Sequence, residues 1–140
     1  MNNLKKIIML VALMLIFSAT VFADSGLESN DNLFCVSRDN TDSICYIDTS
    51  TLIYDSNKNV VKFKYIIDSP KYNQFIVWNY SIFFATNYYQ IDSPYIFDYG
   101  SEYGVDRGKR ASAVEYQPIK EGTMQEHIKI VVSNLIRQNK

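Results

Sequence analysis

The stretch Val60 to Ile67 constrains the fold of this chain more than any other. Val61, Phe63, Tyr65 and Ile67 alternate with Lys62 and Lys64. Alternation with period two marks a β-strand with one face buried and the other wet. Gln74 to Thr86 repeats the pattern at greater length. Ile76, Trp78, Tyr80, Ile82 and Phe84 fall on one face, and Asn79 and Ser81 on the other. Asp68-Ser69-Pro70 separates the two runs, and Asp55-Ser56-Asn57-Lys58-Asn59 precedes the first as a turn. Tyr88 to Asp98 reads as a further strand, bent or ended at an edge by Pro94, which has no N–H to give a ladder.

The strands need a cover, and the C-terminus supplies one. Thr123-Met124-Gln125-Glu126 fits a capping box, with a hydroxyl at the N-cap and a Glu at the third helical position. Met124, Ile128, Val131, Val132 and Leu135 then form one apolar stripe, and Lys129 is expected on the opposite face. Lys129, Arg137 and Lys140 lie toward the negative end of the helix dipole. Nearer the N-terminus, the apolar-rich runs Leu33 to Ser37 and Ile44 to Asp48 flank the turn formers Arg38 to Ser43, a hairpin signal. Thr49 to Ile53 reads as a connector, with one helical turn capped by Asp48 as an option. Gly100 to Arg110 reads as a loop, and Ala111 to Tyr116 as a last short strand. Strands followed by a helix give an α+β fold, an antiparallel sheet with an amphipathic C-terminal helix packed on one face.

The first residues stand apart. Lys5 and Lys6 precede the eleven-residue apolar run Ile7 to Phe17, and Val21-Phe22-Ala23 is a small-x-small site. Residues 1–23 therefore read as a secretory signal peptide cleaved before Asp24. A membrane anchor would need about 20 apolar residues, and Ser18 and Thr20 interrupt this run. No Cys follows it closely, which argues against a lipid-anchored form. Removing Lys5 and Lys6 leaves 12 basic residues against 15 acidic ones, a net charge of −3. Such a balance gives no electrostatic case for nucleic acid, or for a membrane once the signal is gone. Asp24 to Asn32 is polar and Gly/Ser/Asn-rich and reads as a short flexible tail, leaving one domain over 33–140.

Candidate chemistry is sparse. With one His and two Cys, the chain has too few soft ligands for a zinc or iron–sulfur centre, and no cofactor is expected. A hairpin centred on Asn40 sets Cys35 opposite Cys45, and export favours oxidation, so a structural disulfide is expected. The alternative is a pair of free thiols. His127 borders the helical stripe and reads as a half-buried His, because no partner nucleophile or orienting carboxylate is identifiable. Asp39-Asn40-Thr41-Asp42 resembles the start of a calcium loop, but Ile44 and Ser50 stand where an EF-hand needs Gly and Glu. Asn79-Tyr80-Ser81 is a glycosylation sequon inside a predicted strand.

Two features suit binding. Arg107, Lys109 and Arg110 form a basic cluster able to grip a sulfated sugar or an acidic protein patch, the alternative being a solvated loop tip. From Tyr72 to Tyr103, 12 of 32 residues are aromatic. Alternating strands put some of these on each face, so a share is expected outside the core, where Tyr suits a binding surface.

Three segments resemble the surface-adhesin protein E family of exported bacterial proteins. They are Tyr46-Ile47-Asp48-Thr49-Ser50-Thr51-Leu52 with the strand Val60 to Ile67, the long strand from Gln74 with the Tyr-rich strand after it, and Tyr116-Gln117-Pro118-Ile119-Lys120-Glu121-Gly122-Thr123 leading into the helix. The resemblance spans most of Leu33 to Leu135. It implies a single antiparallel sheet with the terminal helix on it, and an exported binding protein without enzymatic activity. It also implies a protein partner, host extracellular-matrix or plasma proteins being the family's best-known ligands. The chain departs from the family's pattern at Phe34, where a Trp is usual, and at Ser81, Ala85 and Ser133, in regions that often carry Cys. The expectation is a non-catalytic protein-binding module at the cell surface, in the periplasm or secreted. The rival reading is a small periplasmic inhibitor or immunity-type protein.

Overall fold

A computed structural model describes residues 25–100, 103, 109–110 and 113–139. The expected signal peptide, 1–23, lies outside the described residues. Among the described residues seven strands form one antiparallel sheet: β1 (Leu33–Arg38), β2 (Ile44–Asp55), β3 (Val60–Ser69), β4 (Gln74–Phe83), β5 (Tyr88–Asp98), β6 (Lys109–Arg110) and β7 (Val114–Pro118). β1 to β5 are paired in chain order as a meander, and β6 and β7 share the outer edge of β5. One helix follows, α1 (Met124–Gln138). This is the expected α+β architecture.

The turns form where short polar side chains can satisfy the backbone locally. Asp39 Oδ1 accepts the N–H of Thr41 at 2.8 Å and of Ser43 at 3.0 Å between β1 and β2. These bonds, that of the Thr41 hydroxyl first, hold the Asp39 carboxyl below its usual range. Asp55 Oδ1 does the same for Asn57 and Lys58 between β2 and β3. Every described non-glycine residue with positive φ is Asn or Asp: Asp42, Asn59, Asn73 and Asn87. These are the side chains that tolerate the left-handed region.

The helix starts as expected. Thr123 Oγ1 accepts the Glu126 N–H at 3.3 Å, and Glu126 Oε2 reaches back to the Gly122 N–H at 2.7 Å. Gly122 has φ 73°, which turns the chain into the helix without a Cβ clash. Ile128 and Val132 are buried in the main core with Ile47, Val61, Phe63, Tyr65, Tyr80, Ile82 and Ile91. Val131, Leu135 and Ile136 pack around them. The stripe differs from the expected one at two places: Met124 is 46% exposed, and Ile136 joins the core. Lys129 is also not on a free opposite face, since its Nζ donates to Asn87 Oδ1 at 2.7 Å. Asn87 Nδ2 in turn donates to the Ile119 carbonyl, so one turn residue ties β5, the approach to the helix and the helix together.

The second face is not uniformly wet. Ile44, Tyr46, Ile66, Phe75, Val77 and Phe97 form a second buried cluster there, with Leu27 inserted. The expected flexible tail is thus overturned from Ser25 on. Leu27, in a 3₁₀ turn (Leu27–Ser29), is 2% exposed, and Ser25 Oγ donates to buried Asp68 at 2.6 Å. A single Leu in a polar tract has no periodicity to announce its burial.

Thr49 to Ile53 is not a helical turn. It lies inside β2, where residues 49–52 bulge out between the pairs Asp48–Lys64 and Ile53–Lys62. Thr51 Oγ1 fills the gap, accepting the Lys64 N–H at 2.9 Å and donating to the Asp48 carbonyl at 2.8 Å. Pro94 does bend β5. The β4 register shifts between Val77–Tyr95 and Asn79–Asp92, so Pro94 sits in a bulge. β5 is not an edge, however, because β6 and β7 flank that bulge on either side.

Candidate binding face

The expected disulfide is corrected by the hairpin register. Cys35 pairs with Tyr46, and Cys45 with Ser37, with a bulge at Val36 between them. The extra residue puts Cys35 on the second face beside Tyr46 and Cys45 on the helix face, where it packs against the main core. Both thiols are free. His127 Nε2 lies 3.3 Å from the carbonyl of the bulged Val36, so its ring is engaged with the edge strand. Among the described residues no group of three or more His, Cys, Asp or Glu side chains is placed to hold a metal ion. Of the basic cluster, Arg107 lies outside the described residues, as do the side chains of Lys109 and Arg110. The backbone of Lys109 and Arg110 forms β6 against Ile96 and Tyr95.

Among the described residues two carboxylates are buried, and both are supplied with donors. Asp48 accepts the Ser50 N–H at 3.0 Å and the Tyr103 hydroxyl at 2.6 Å. Asp68 accepts the hydroxyls of Ser25 and Tyr99. Burial and then the bond to Asp48 hold the Tyr103 hydroxyl well above its ordinary pKa. Burial, with the Glu28 and Asp68 charges next, pushes Tyr46 up to about 12. These bonds hold Tyr99 and Tyr103 over the second face, where both rings pack against its buried cluster.

No described element covers the other half of that face, and its residues stand in rows across the strands. Lys62, Ser81 and Gln90 are cross-strand neighbours on β3, β4 and β5. Lys64, Asn79 and Asp92 form the next row. Beyond the first row lie Val60, Phe83 and Tyr88. The two polar rows floor a pair of adjoining depressions, of ≈ 390 Å³ and ≈ 220 Å³, that share Lys62, Ser81 and Asp92. Ser81 is 6% exposed at the bottom.

Aromatic rings stand on both sides of this floor. On one side Tyr116 stacks on Tyr88 at 4.4 Å and meets Phe83 edge-on at 5.0 Å, while its hydroxyl lies 2.5 Å from Thr86 Oγ1. It is nevertheless 46% exposed. On the other side Lys64 Nζ sits 5.8 Å from the centre of the Tyr103 ring. The aromatic-rich stretch thus divides as strand alternation requires, and the helix-face share is core: Tyr80 stacks between Phe63 and Tyr89.

Sequence reasoning singled out no residue of this floor for binding; as site candidates Asn79 and Ser81 entered only through a glycosylation sequon. The signal was present all the same, since Lys62, Lys64, Asn79 and Ser81 are the polar halves of the two alternating strands. What it lacked was strand order, which alone brings Gln90 and Asp92 alongside. Asn79 of the sequon lies in a central strand, half-buried, with the sequon's Ser81 buried beneath the floor. No helix among the described residues is long and apolar enough to cross a membrane. No protein-family model matches this chain, and neither a curated protein nor a solved structure matches it.

Proposed function

We propose that this chain is an exported, non-catalytic binding module of the surface-adhesin protein E type, which mediates protein–protein contact at the bacterial surface or in the periplasm. Its contact surface is the open half of the sheet. The observation that carries this reading is that half-face itself. Among the described residues, a seven-stranded sheet has one face closed by α1 and half of the other closed by Leu27 and the Tyr99 and Tyr103 side chains, and a polar floor between aromatic rims has no described element over it. The sheet backbone fixes where those side chains start, so binding has only their rotamers left to order. The apolar run before Asp24 and the three segments resembling the family support export and the adhesin type.

The test uses the purified protein beginning at Asp24, immobilised against extracellular-matrix and plasma proteins and, in parallel, against a periplasmic extract. A matrix or plasma protein held by the wild type and lost on Lys62→Glu, an exposed position, supports the reading. Capture of one enzyme whose activity falls on binding would favour the inhibitor or immunity-type reading. Binding that Lys62→Glu leaves unchanged would refute the assignment of the face.

A further inference from the structure

The open half-face carries a more specific chemistry, and we infer that it recognises an acidic saccharide, a sugar chain bearing carboxylate or sulfate groups. The inference rests on reading this face as the contact surface and names the chemistry it contacts.

The first argument is charge. Of the charged groups around the floor, Asp55 is occupied by its own turn and by Lys58 at 3.9 Å, which leaves Lys62 and Lys64 against one carboxylate, Asp92, whose donor is the neutral amide of Gln90 at 2.7 Å. Lys62 and Lys64 make no ion pair among the described residues. They project from the same face of β3, two residues and therefore about 7 Å apart. One anionic group can lie between them, and the neighbouring Ser81 and Asn79 add neutral donors.

The second argument concerns what else lines the floor. Ser81, Asn79, Gln90 and Asp92 offer side-chain donors and acceptors in close succession, which suits a ligand covered in hydroxyls. Rigid half-exposed rings border them. Tyr116 is held by a stack, an edge contact and a hydroxyl contact, so the C–H face of a sugar ring can lie on it at small entropic cost.

Backbone pairing separates a sugar from an acidic peptide. An extended peptide gains its affinity by adding a strand to a free edge, through main-chain hydrogen bonds. The floor is made of β3, β4 and β5; β3 and β4 pair with a strand on each side, and β6 and β7 take the outer side of β5 before and after the Pro94 bulge. No long free edge is left for a strand to add to, so a peptide laid across the strands would meet mainly side chains and leave most of its own amides unmatched.

The experiment is calorimetric titration of the protein with oligogalacturonate, a sulfated oligosaccharide, methyl-esterified oligogalacturonate and oligoglutamate. At least one acidic sugar binds, and the esterified sugar and the peptide bind at least about tenfold more weakly. Which acidic sugar binds identifies the anionic group. Lys62→Gln and Lys64→Gln each weaken binding about tenfold, and Tyr116→Ala weakens it severalfold, with the fold of each variant checked by circular dichroism. Oligoglutamate binding as tightly as the acidic sugars would overturn the inference, as would neutral sugar binding equally well. If neither acidic sugar binds while a protein ligand is still lost on Lys62→Glu, the saccharide inference falls and the binding-module reading stands. If no ligand of any class responds to Lys62, both fall.

Discussion

Two isoleucines on α1 provide a matched test of how the helix is docked. Ile128 is 1% exposed in the main core, and Ile130, two residues on, is 53% exposed. The same substitution at each, Ile128→Ala and Ile130→Ala, changes the same atoms in the same helix, so helix propensity cancels between them. At Ile128 the change removes three buried carbons from a site walled by the β-sheet core. The transfer term is about 0.8 kcal/mol per carbon, roughly 2.4 kcal/mol in all. An unrelaxed cavity at about 24 cal/mol per Å³ adds up to about 2 kcal/mol. Alanine's better helix propensity returns about 0.4 kcal/mol. The expected loss is therefore about 2–4 kcal/mol for Ile128→Ala and within about 0.5 kcal/mol of zero for Ile130→Ala. In urea, with a slope of about 1–3 kcal/mol/M, this separates the two midpoints by about 0.7–4 M. Midpoints within a few tenths molar of each other would refute the claim that this stripe, and not its neighbour, faces the sheet.

Other consequences follow from the corrected features. Leu27→Ala should cost about 2–5 kcal/mol in thermal or chemical unfolding, and an unchanged midpoint would return the segment before β1 to a free tail. Tyr46, Tyr65, Tyr80 and Tyr103 all have raised pKa values, burial being the leading cause at each. A raised pKa gives stability that is complete below the unfolded value of about 10 and is lost as pH rises above it. For Tyr46 the loss runs from about 10 to about 12. Denaturant midpoints should hold steady to about pH 9.5 and then fall steeply, and a flat profile to pH 11.5 would contradict the burial of these hydroxyls. The register also sets thiol behaviour: Cys35 should react with a thiol reagent in the native protein at once, and half-buried Cys45 only slowly or after unfolding. Native protein in which neither thiol reacts until a reductant is added would restore the Cys35–Cys45 bridge.

What the amino-acid sequence determined by itself is local. Hydrophobic alternation placed β3 and β4 to within a few residues, and β5 was legible as Tyr88 to Asp98. A hydroxyl and a glutamate three residues apart announced the start of α1. Asp and Asn marked the turns before β2 and β3, because a side chain that caps its own backbone needs no distant partner, while the left-handed Asn73 and Asn87 before β4 and β5 went unmarked. What only the tertiary structure decided depends on contacts far apart in sequence. A hairpin count puts Cys35 opposite Cys45, but Val36 has to meet the core on the helix face while Leu33 joins the second cluster. One extra residue in the edge strand accommodates the shift. Leu27 is buried because a gap beside Tyr46 and Phe75 exists only once β2, β3 and β4 are paired. The candidate binding face belongs to the same class. Lys62 and Asp92 are thirty residues apart, and they share a depression only because β4 lies between their strands and Pro94's bulge keeps Asp92 and Tyr95 on one side. Strand order and bulge position are settled by burying apolar area over the whole sheet, and that sum cannot be read from any one window of the chain.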